Sequence, residues 1–322
     1  MQSKEYIEKL VRAAILYYKS NLTQQEVAER MGTTRQAVCK YLSDAKEYGI
    51  VEINVNNPIS ETLSIEEELK RRFGLKAALV VPGSLKDDMV IRHEIARIAT
   101  PHIIELMRSG IKNIALSWGR SIFDFIKNFP EGEFFSDINI FPVMGASNNA
   151  APYYMINEMV RDLSEKIHGI PNFIYLPLNP ESHEDYIHYT STQLYRKTLK
   201  NWSEIDLLIL GIGSRISADN MIRQSYPGEI EVMSKFDPHT IVGDVFTKYF
   251  DINGNFYSIP ETEQLLTMPQ ELFAKVGRVV ALAGGAEKAK CILGALRTGR
   301  ITDFVTDEKA AKTILTLDAQ QA

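Results

Sequence analysis

The chain has 322 residues, 45% of them hydrophobic and 24% charged, with a formal net charge of −5 and two cysteines. That composition belongs to an ordinary globular protein long enough for two cores, and it excludes disordered, collagenous and disulfide-stapled classes. No run of about 18 apolar residues offers a membrane-spanning helix, and the polar start MQSKEYIEKL lacks a signal-peptide core; Cys39 and Cys291, each at helical spacing on an apolar or packed face, point to a reduced, cytoplasmic interior.

The spacing predicts a first helix over about 4–19, with Ile7, Leu10, Val11 and Ala14 inward. Thr23 and Glu26 fit a capping box that opens a second helix, whose apolar face is Val27, Ala28 and Met31. Gly32 can take the left-handed conformation that ends that helix. Thr33 with Gln36 repeats the cap, so a third helix is expected to start near Thr34, with Val38, Tyr41, Leu42 and Ala45 inward and Arg35, Gln36 and Lys40 outward. Two short helices around a tight turn, preceded by a packing helix, form a helix-turn-helix, whose second helix presents its first side chains to the DNA major groove. Ile50 to Val55 alternates like a strand, the expected wing.

Residues 1–57 hold eight Lys/Arg against seven Asp/Glu, a net of +1, which leaves −6 for the remainder. So slight an excess implies a local, sequence-specific DNA contact made by an oligomer rather than a broad basic patch. Asn56-Asn57-Pro58 breaks the pattern, and the expected domains are a winged helix-turn-helix over 1–57 and a second domain over 58–322.

After a linking helix over 63–73, strands and helices alternate. Strands are expected at 77–81, 113–117, 138–143, 173–178, 207–211 and 279–283. Helices are expected at 89–108, 121–129, 155–168, 186–202, 288–297 and 308–317. Short apolar strands separated by helices imply α/β architecture, a mostly parallel sheet covered on both faces. Ligands of such sheets bind at the carboxyl ends of strands. Four candidate loops lie there. Ser117-Trp118-Gly119-Arg120-Ser121 offers helix-start N–H groups and a guanidinium to a phosphate. Gly211-Ile212-Gly213 is followed by Ile216 where a dinucleotide fingerprint needs glycine. Gly243-Asp244 offers a carboxylate to sugar hydroxyls. Gly284-Gly285-Ala286-Glu287-Lys288 opens another helix with a lysine, without the GKS or GKT of a P-loop. Together the two phosphate-capable loops favour an anionic small molecule.

Asp251-Ile252-Asn253-Gly254-Asn255 starts like a calcium loop, but Phe256 and Thr262 occupy its glycine and glutamate positions, so a hairpin turn is expected. His183 and His188 have no cysteine nearby and fit a solvated helix start; neither a metal site nor a Ser-His-Asp arrangement is expected.

The stretch LTQQEVAERMGTTRQAVCKYLSDAKEYGIVEINV, followed in order by SWGRSIFDF, FPVMGA, GIG, IVGDVFTKYFDINGN and VVALAGGAEKAKCILGALRTGRITDFVTDEKAAKTIL, resembles the SorC family of bacterial transcriptional regulators over almost the whole chain. The resemblance implies an effector domain similar to the ribose-phosphate isomerase and glucosamine-phosphate deaminase folds without their catalysis, a phosphorylated sugar or polyol effector, and a tetramer of paired dimers. It implies a phosphate loop at Gly119, Arg120 and Ser121, a sugar-hydroxyl contact at Asp244, and a second anion loop at Gly285 and Lys288. The family often has threonine at the position of Ser121, whose hydroxyl serves the same purpose. Met144 has no amine for a Schiff base with an aldehyde.

The expected function is thus a cytoplasmic regulator of a carbohydrate or polyol operon, not an enzyme, with no cofactor. Arg35 and Gln36 face bases, Lys40 a phosphate, and Thr33 and Thr34 the backbone of double-stranded operator DNA. The alternative is a sugar-phosphate isomerase or deaminase with an appended DNA-binding head, using Asp206, Asp219, Asp244 or Glu287 as general base. Against it, Ile212-Gly213-Ser214-Arg215 lacks the Asp-Gly-His type of cluster that such deaminases carry.

Overall fold

A computed structural model describes residues 4–51, 58–147, 151–214, 240–258 and 263–321. The chain forms two compact units, Met1–Asn57 and Pro58–Ala322.

The first unit packs three helices. Helix α1 (Lys4–Ala14) runs into one turn of π-helix, Ile15–Lys19. Helix α2 (Gln24–Met31) starts at the expected capping box, Thr23 accepting from Glu26 N–H while the Glu26 carboxylate accepts from Thr23 N–H. Gly32 ends it at φ 63°, and α3 (Arg35–Glu47) follows. Its cap is Thr34, whose hydroxyl accepts from Ala37 N–H, not the expected Thr33. Thr33 N–H instead closes the turn by donating to Ala28 O, so Thr34 is the residue left in extended conformation to cap. Leu10, Ala13, Val27, Ala28, Val38, Leu42 and Ala45 are buried. Ala13 takes the inward place expected of Val11, which is 38% exposed. Cys39 is likewise exposed rather than packed. Ile50 and Val51 form a bend against Leu10, Ala14 and Ala45, and the rest of the expected wing lies outside the described residues.

The second unit opens with α4 (Pro58–Phe73), five residues longer than expected because Pro58 suits a first helical turn. A seven-stranded sheet follows in the order β1-β11-β10-β5-β2-β3-β4, every described pairing parallel. Its strands are β1 (Ala77–Val81), β2 (Asn113–Leu116), β3 (Asn139–Pro142), β4 (Ile170–Pro171), β5 (Leu207–Gly211), β10 (Arg278–Leu282) and β11 (Asp303–Asp307). Leu207 to Leu210 and Val279 to Leu282 are buried without alternation, as strands covered on both faces must be. Helices α5 (Asp88–Arg108), α6 (Arg120–Asn128) and α7 (Ile156–Ile167) pack side by side. Helices α8 (His183–Ser191) and α9 (Gln193–Ser203) replace the single expected helix; Thr192 ends one and caps the other. After the short α10 (Gln270–Phe273), helices α11 (Ala289–Arg297) and α12 (Glu308–Gln321) pack together, α12 also against α4.

The strand expected at 173–178 is irregular, and its place beside β3 is taken by β4. Phe173 and Tyr175 are exposed while Ile174 and Leu176 are buried, so alternation was present without a ladder. A second, antiparallel sheet, β6-β7-β8-β9, was not expected. It contains β6 (Gly213–Ser214), β7 (Gly243–Val245), β8 (Lys248–Phe250) and β9 (Phe256–Tyr257). The Asp251 segment forms the expected turn between β8 and β9, its Oδ1 accepting from Asn253 and Asn255 N–H at 2.9 Å each.

Candidate functional site

In the first unit, Thr34, Arg35, Gln36 and Lys40 lie exposed on one side of α3, opposite the buried Val38, Leu42 and Ala45, while Thr33 is half-buried in the turn. Arg35, Gln36 and Lys40 make no side-chain hydrogen bond or ion pair among the described residues. Their donors stay available, in the forks and point charges that base edges and phosphates accept. Cys39 and Ser43, one turn apart on the same outward surface, were missed because each also reads as a helix-interior residue.

In the second unit, parallel pairing puts the ends of β10, β5 and β2 side by side on one edge. The loops entering α6 and α11 therefore flank the end of β5. At the first loop, Gly119 caps α6 at φ 127°, its N–H donating to Tyr153 O at 3.0 Å. The first-turn N–H groups of α6 remain open, as at any helix start. The hydroxyl of the half-exposed Ser121 makes no hydrogen bond among the described residues. Arg120 Nη1 lies 3.6 Å from Asp88 Oδ2, on the first turn of α5. Asp88 also pairs with Arg92, whose Nε donates to Asp124 Oδ2 at 2.6 Å. Arg120 is thus tethered loosely by a carboxylate that has a second cation to hold.

At the second loop, Gly285 stands at φ 95° and donates its N–H to Asp307 Oδ1 at 2.6 Å. A Cβ on Gly284 would meet Asp307 Oδ1 and Ile95 Cδ1, both at 2.6 Å, so the loop can press onto α5 and β11 only as glycine. Asp307 Oδ2 accepts from Ala310 N–H, capping α12. This carboxylate consumes Gly285 N–H and shapes the loop, leaving the half-exposed Lys288 as its cation. β11 was missed because both ends of DFVTD are aspartates, which read as surface; both are fully buried, Asp303 held by His102, Arg278 and Thr302.

Asp244 reaches this edge through the second sheet, where it pairs with Gly213, two residues beyond β5. Its Oδ1 would lie 2.0 Å from a Cβ on Gly213, and its Oδ2 accepts from Thr247 N–H at 3.0 Å. Burial pushes the carboxyl up to about 6, the Thr247 hydrogen bond opposing that shift. Cys291, at the start of α11, donates to Lys288 O, and burial pushes its thiol up to about 12, so it behaves as a small packing group. Of the other acids considered as bases, Asp206 caps the amino edge of the sheet, accepting from Lys112 and Asn113 N–H. Glu287 is exposed with its carboxylate over Gly285, and Asp219 lies outside the described residues.

The family described as "Putative sugar-binding domain" matches residues 57–316. The sorbitol operon regulator of Klebsiella pneumoniae is 25% identical over 322 residues, covering 98% of this chain and 100% of that protein. The deoxyribonucleoside regulator of Bacillus subtilis (strain 168) is 23% identical, over 95% of this chain and 96% of its own. Among solved structures, full-length SorC from Klebsiella pneumoniae has a TM-score of 0.73 at 24% identity, covering 98% of this chain and 100% of that one. A DeoR family transcriptional regulator from Listeria monocytogenes has a TM-score of 0.69 at 22% identity, covering 79% and 99%.

Proposed function

The chain belongs to the SorC family of sugar-binding bacterial transcriptional regulators, and on that premise we propose that it controls a carbohydrate or polyol operon in response to a phosphorylated sugar or polyol. The observation that carries this reading is the convergence of two helix-opening loops, one with Arg120 and one with Lys288, on the sheet edge that Asp244 also reaches. A phosphate would accept from the α6 first turn, Arg120 and Ser121, with Lys288 supplying a second charge from across β5. Asp244, ionised at neutral pH, would accept from sugar hydroxyls. On this reading the chain acts by binding rather than by turnover.

On the DNA, Arg35 and Gln36 would read base edges, Lys40 a phosphate, and Thr33 and Thr34 the backbone at the start of α3. A head of so little net charge needs several copies on one operator, and we infer a tetramer of paired dimers. An effector changes DNA affinity only as far as it binds the competing arrangements unequally. The test is a mobility shift with DNA upstream of the protein's own operon, with and without a panel of sugar and polyol phosphates. A specific shift that one compound abolishes or strengthens is the expected outcome. A shift indifferent to every compound would remove the effector reading, and turnover of a sugar phosphate in the same tube would replace it with the enzymatic one.

A further inference from the structure

Lys248, the first residue of β8, has no role in the reading above. Its Nζ donates to Thr267 Oγ1 at 3.0 Å, and that neutral hydroxyl is its sole hydrogen-bond or ion-pair partner among the described residues. Thr267 is itself 3% exposed and forms an antiparallel bridge with Met144, just past the end of β3, where Gly145 N–H donates to Leu266 O. The ammonium therefore stands on the carboxyl edge of the sheet, over β3, beside the strand whose loop carries Arg120. Glu263 and Glu271 act on it from beyond ion-pair distance, and burial pushes its pKa down from the usual lysine range. Its neighbour Thr247 is 3% exposed, and its hydroxyl has no hydrogen-bond partner among the described residues.

An ammonium whose one hydrogen bond among the described residues goes to a hydroxyl is a poor arrangement for a ligand-free core, because Glu271 and Glu263 act on it only from beyond ion-pair distance and offset its desolvation in part. It becomes favourable once an anion arrives. We propose that Lys248 forms a second anion-binding subsite of the effector pocket, and that the effector carries, beyond its phosphate, a second acidic group, either a carboxylate or another phosphoryl group. This rests on the effector reading above and narrows its ligand class. The spacing permits it. Adjacent strands lie about 4.8 Å apart, so the ends of β5 and β3 are separated by roughly 10 Å, comparable with an extended hexose phosphate.

The test is calorimetric titration of the full-length protein with two matched pairs: glucitol 6-phosphate against gluconate 6-phosphate, and fructose 6-phosphate against fructose 1,6-bisphosphate. Within each pair the members differ by one acidic group. The expected result is at least tenfold tighter binding of the doubly acidic member in one pair, which also tells carboxylate from phosphoryl. Lys248→Met should erase that preference, Lys248→Arg should keep it, and Lys288→Met should weaken both members alike. Ligand-free Lys248→Met should melt at or above the wild-type temperature, since it loses an unpaired charge. Equal binding within both pairs, a preference that survives Lys248→Met, or a marked fall in its melting temperature would overturn the proposal. Failure of all four compounds to bind would overturn the phosphorylated-effector reading as well.

Discussion

Asp244 and Gly213 illustrate how tightly individual residues are specified at the effector edge. No side chain fits at 213 while the carboxylate occupies the space a Cβ would need, so Gly213→Ala should displace Asp244 and weaken effector binding more than it lowers stability. Asp244 also makes a pH prediction. Its folded pKa of about 6 lies above the unfolded value of 3.8, so between these values the native state holds the extra proton. The stabilisation is full below the lower value and is lost as pH rises through the upper one, by roughly 3 kcal/mol across the window. Urea unfolding from pH 4 to 7 should show that decline in the wild type and a flatter profile in Asp244→Asn. On α3 the expected effects divide by partner. Arg35→Ala should cost roughly 1–3 kcal/mol of operator affinity and relax base preference at one position. Lys40→Ala should weaken binding to any sequence and reduce the salt slope, as titrations at several salt concentrations would read.

Among the elements, the β7–β8 hairpin stores strain. Its two central residues, Phe246 and Thr247, have φ of 35° and 72°, a mirror-image turn that normally takes Asn-Gly. Thr247→Gly should stabilise the ligand-free protein by roughly 1 kcal/mol, by relieving a β-branched residue of positive φ and removing a buried hydroxyl that has no hydrogen-bond partner among the described residues, while the buried Phe246 keeps its place against Phe273. A lower melting temperature for Thr247→Gly would mean that packing of the buried Thr247 side chain outweighs the strain. The same local logic explains which elements were readable. Capping hydroxyls and left-handed glycines announce themselves within four residues, so α2 and α3 emerged to within a residue. The split at Thr192, the π-helical turn that brings Leu16 and Tyr17 toward the core, and the displacement of a strand to β4 depend on contacts far along the chain.

At the level of the second unit, the anion loop is connected to its first helix. Asp307 holds Gly285; the next residue, Glu308, accepts from Gly83 N–H at 2.6 Å; and Lys312, one turn on, joins Glu308 to Glu61 in α4. Helix α4 begins directly after residues 1–57. These ion pairs are half-exposed and screened by solvent, and contribute little to stability. Their consequence would be in coupling. Lys312→Met should leave effector affinity and melting temperature nearly unchanged while reducing the factor by which effector alters operator affinity. Effector titrations and mobility shifts on the same preparation would decide it, and an undiminished factor would exclude this route.

The sequence alone determined a three-helix head with a polar reading face, the alternation that makes a parallel α/β sheet, and the two helix-opening glycine loops. Periodicity, caps and positive-φ glycines are local codes, complete within a few residues. Only tertiary structure decided that β10, β5 and β2 are neighbours, that a second sheet carries Asp244 to Gly213, that Asp307 occupies Gly285 N–H, and that Lys248 stands over β3 with a hydroxyl for company. Strand order and long-range hydrogen bonds depend on which buried surfaces meet, and residues such as Asp303 and Asp307 look like surface until the charges and N–H groups that hold them are folded into place.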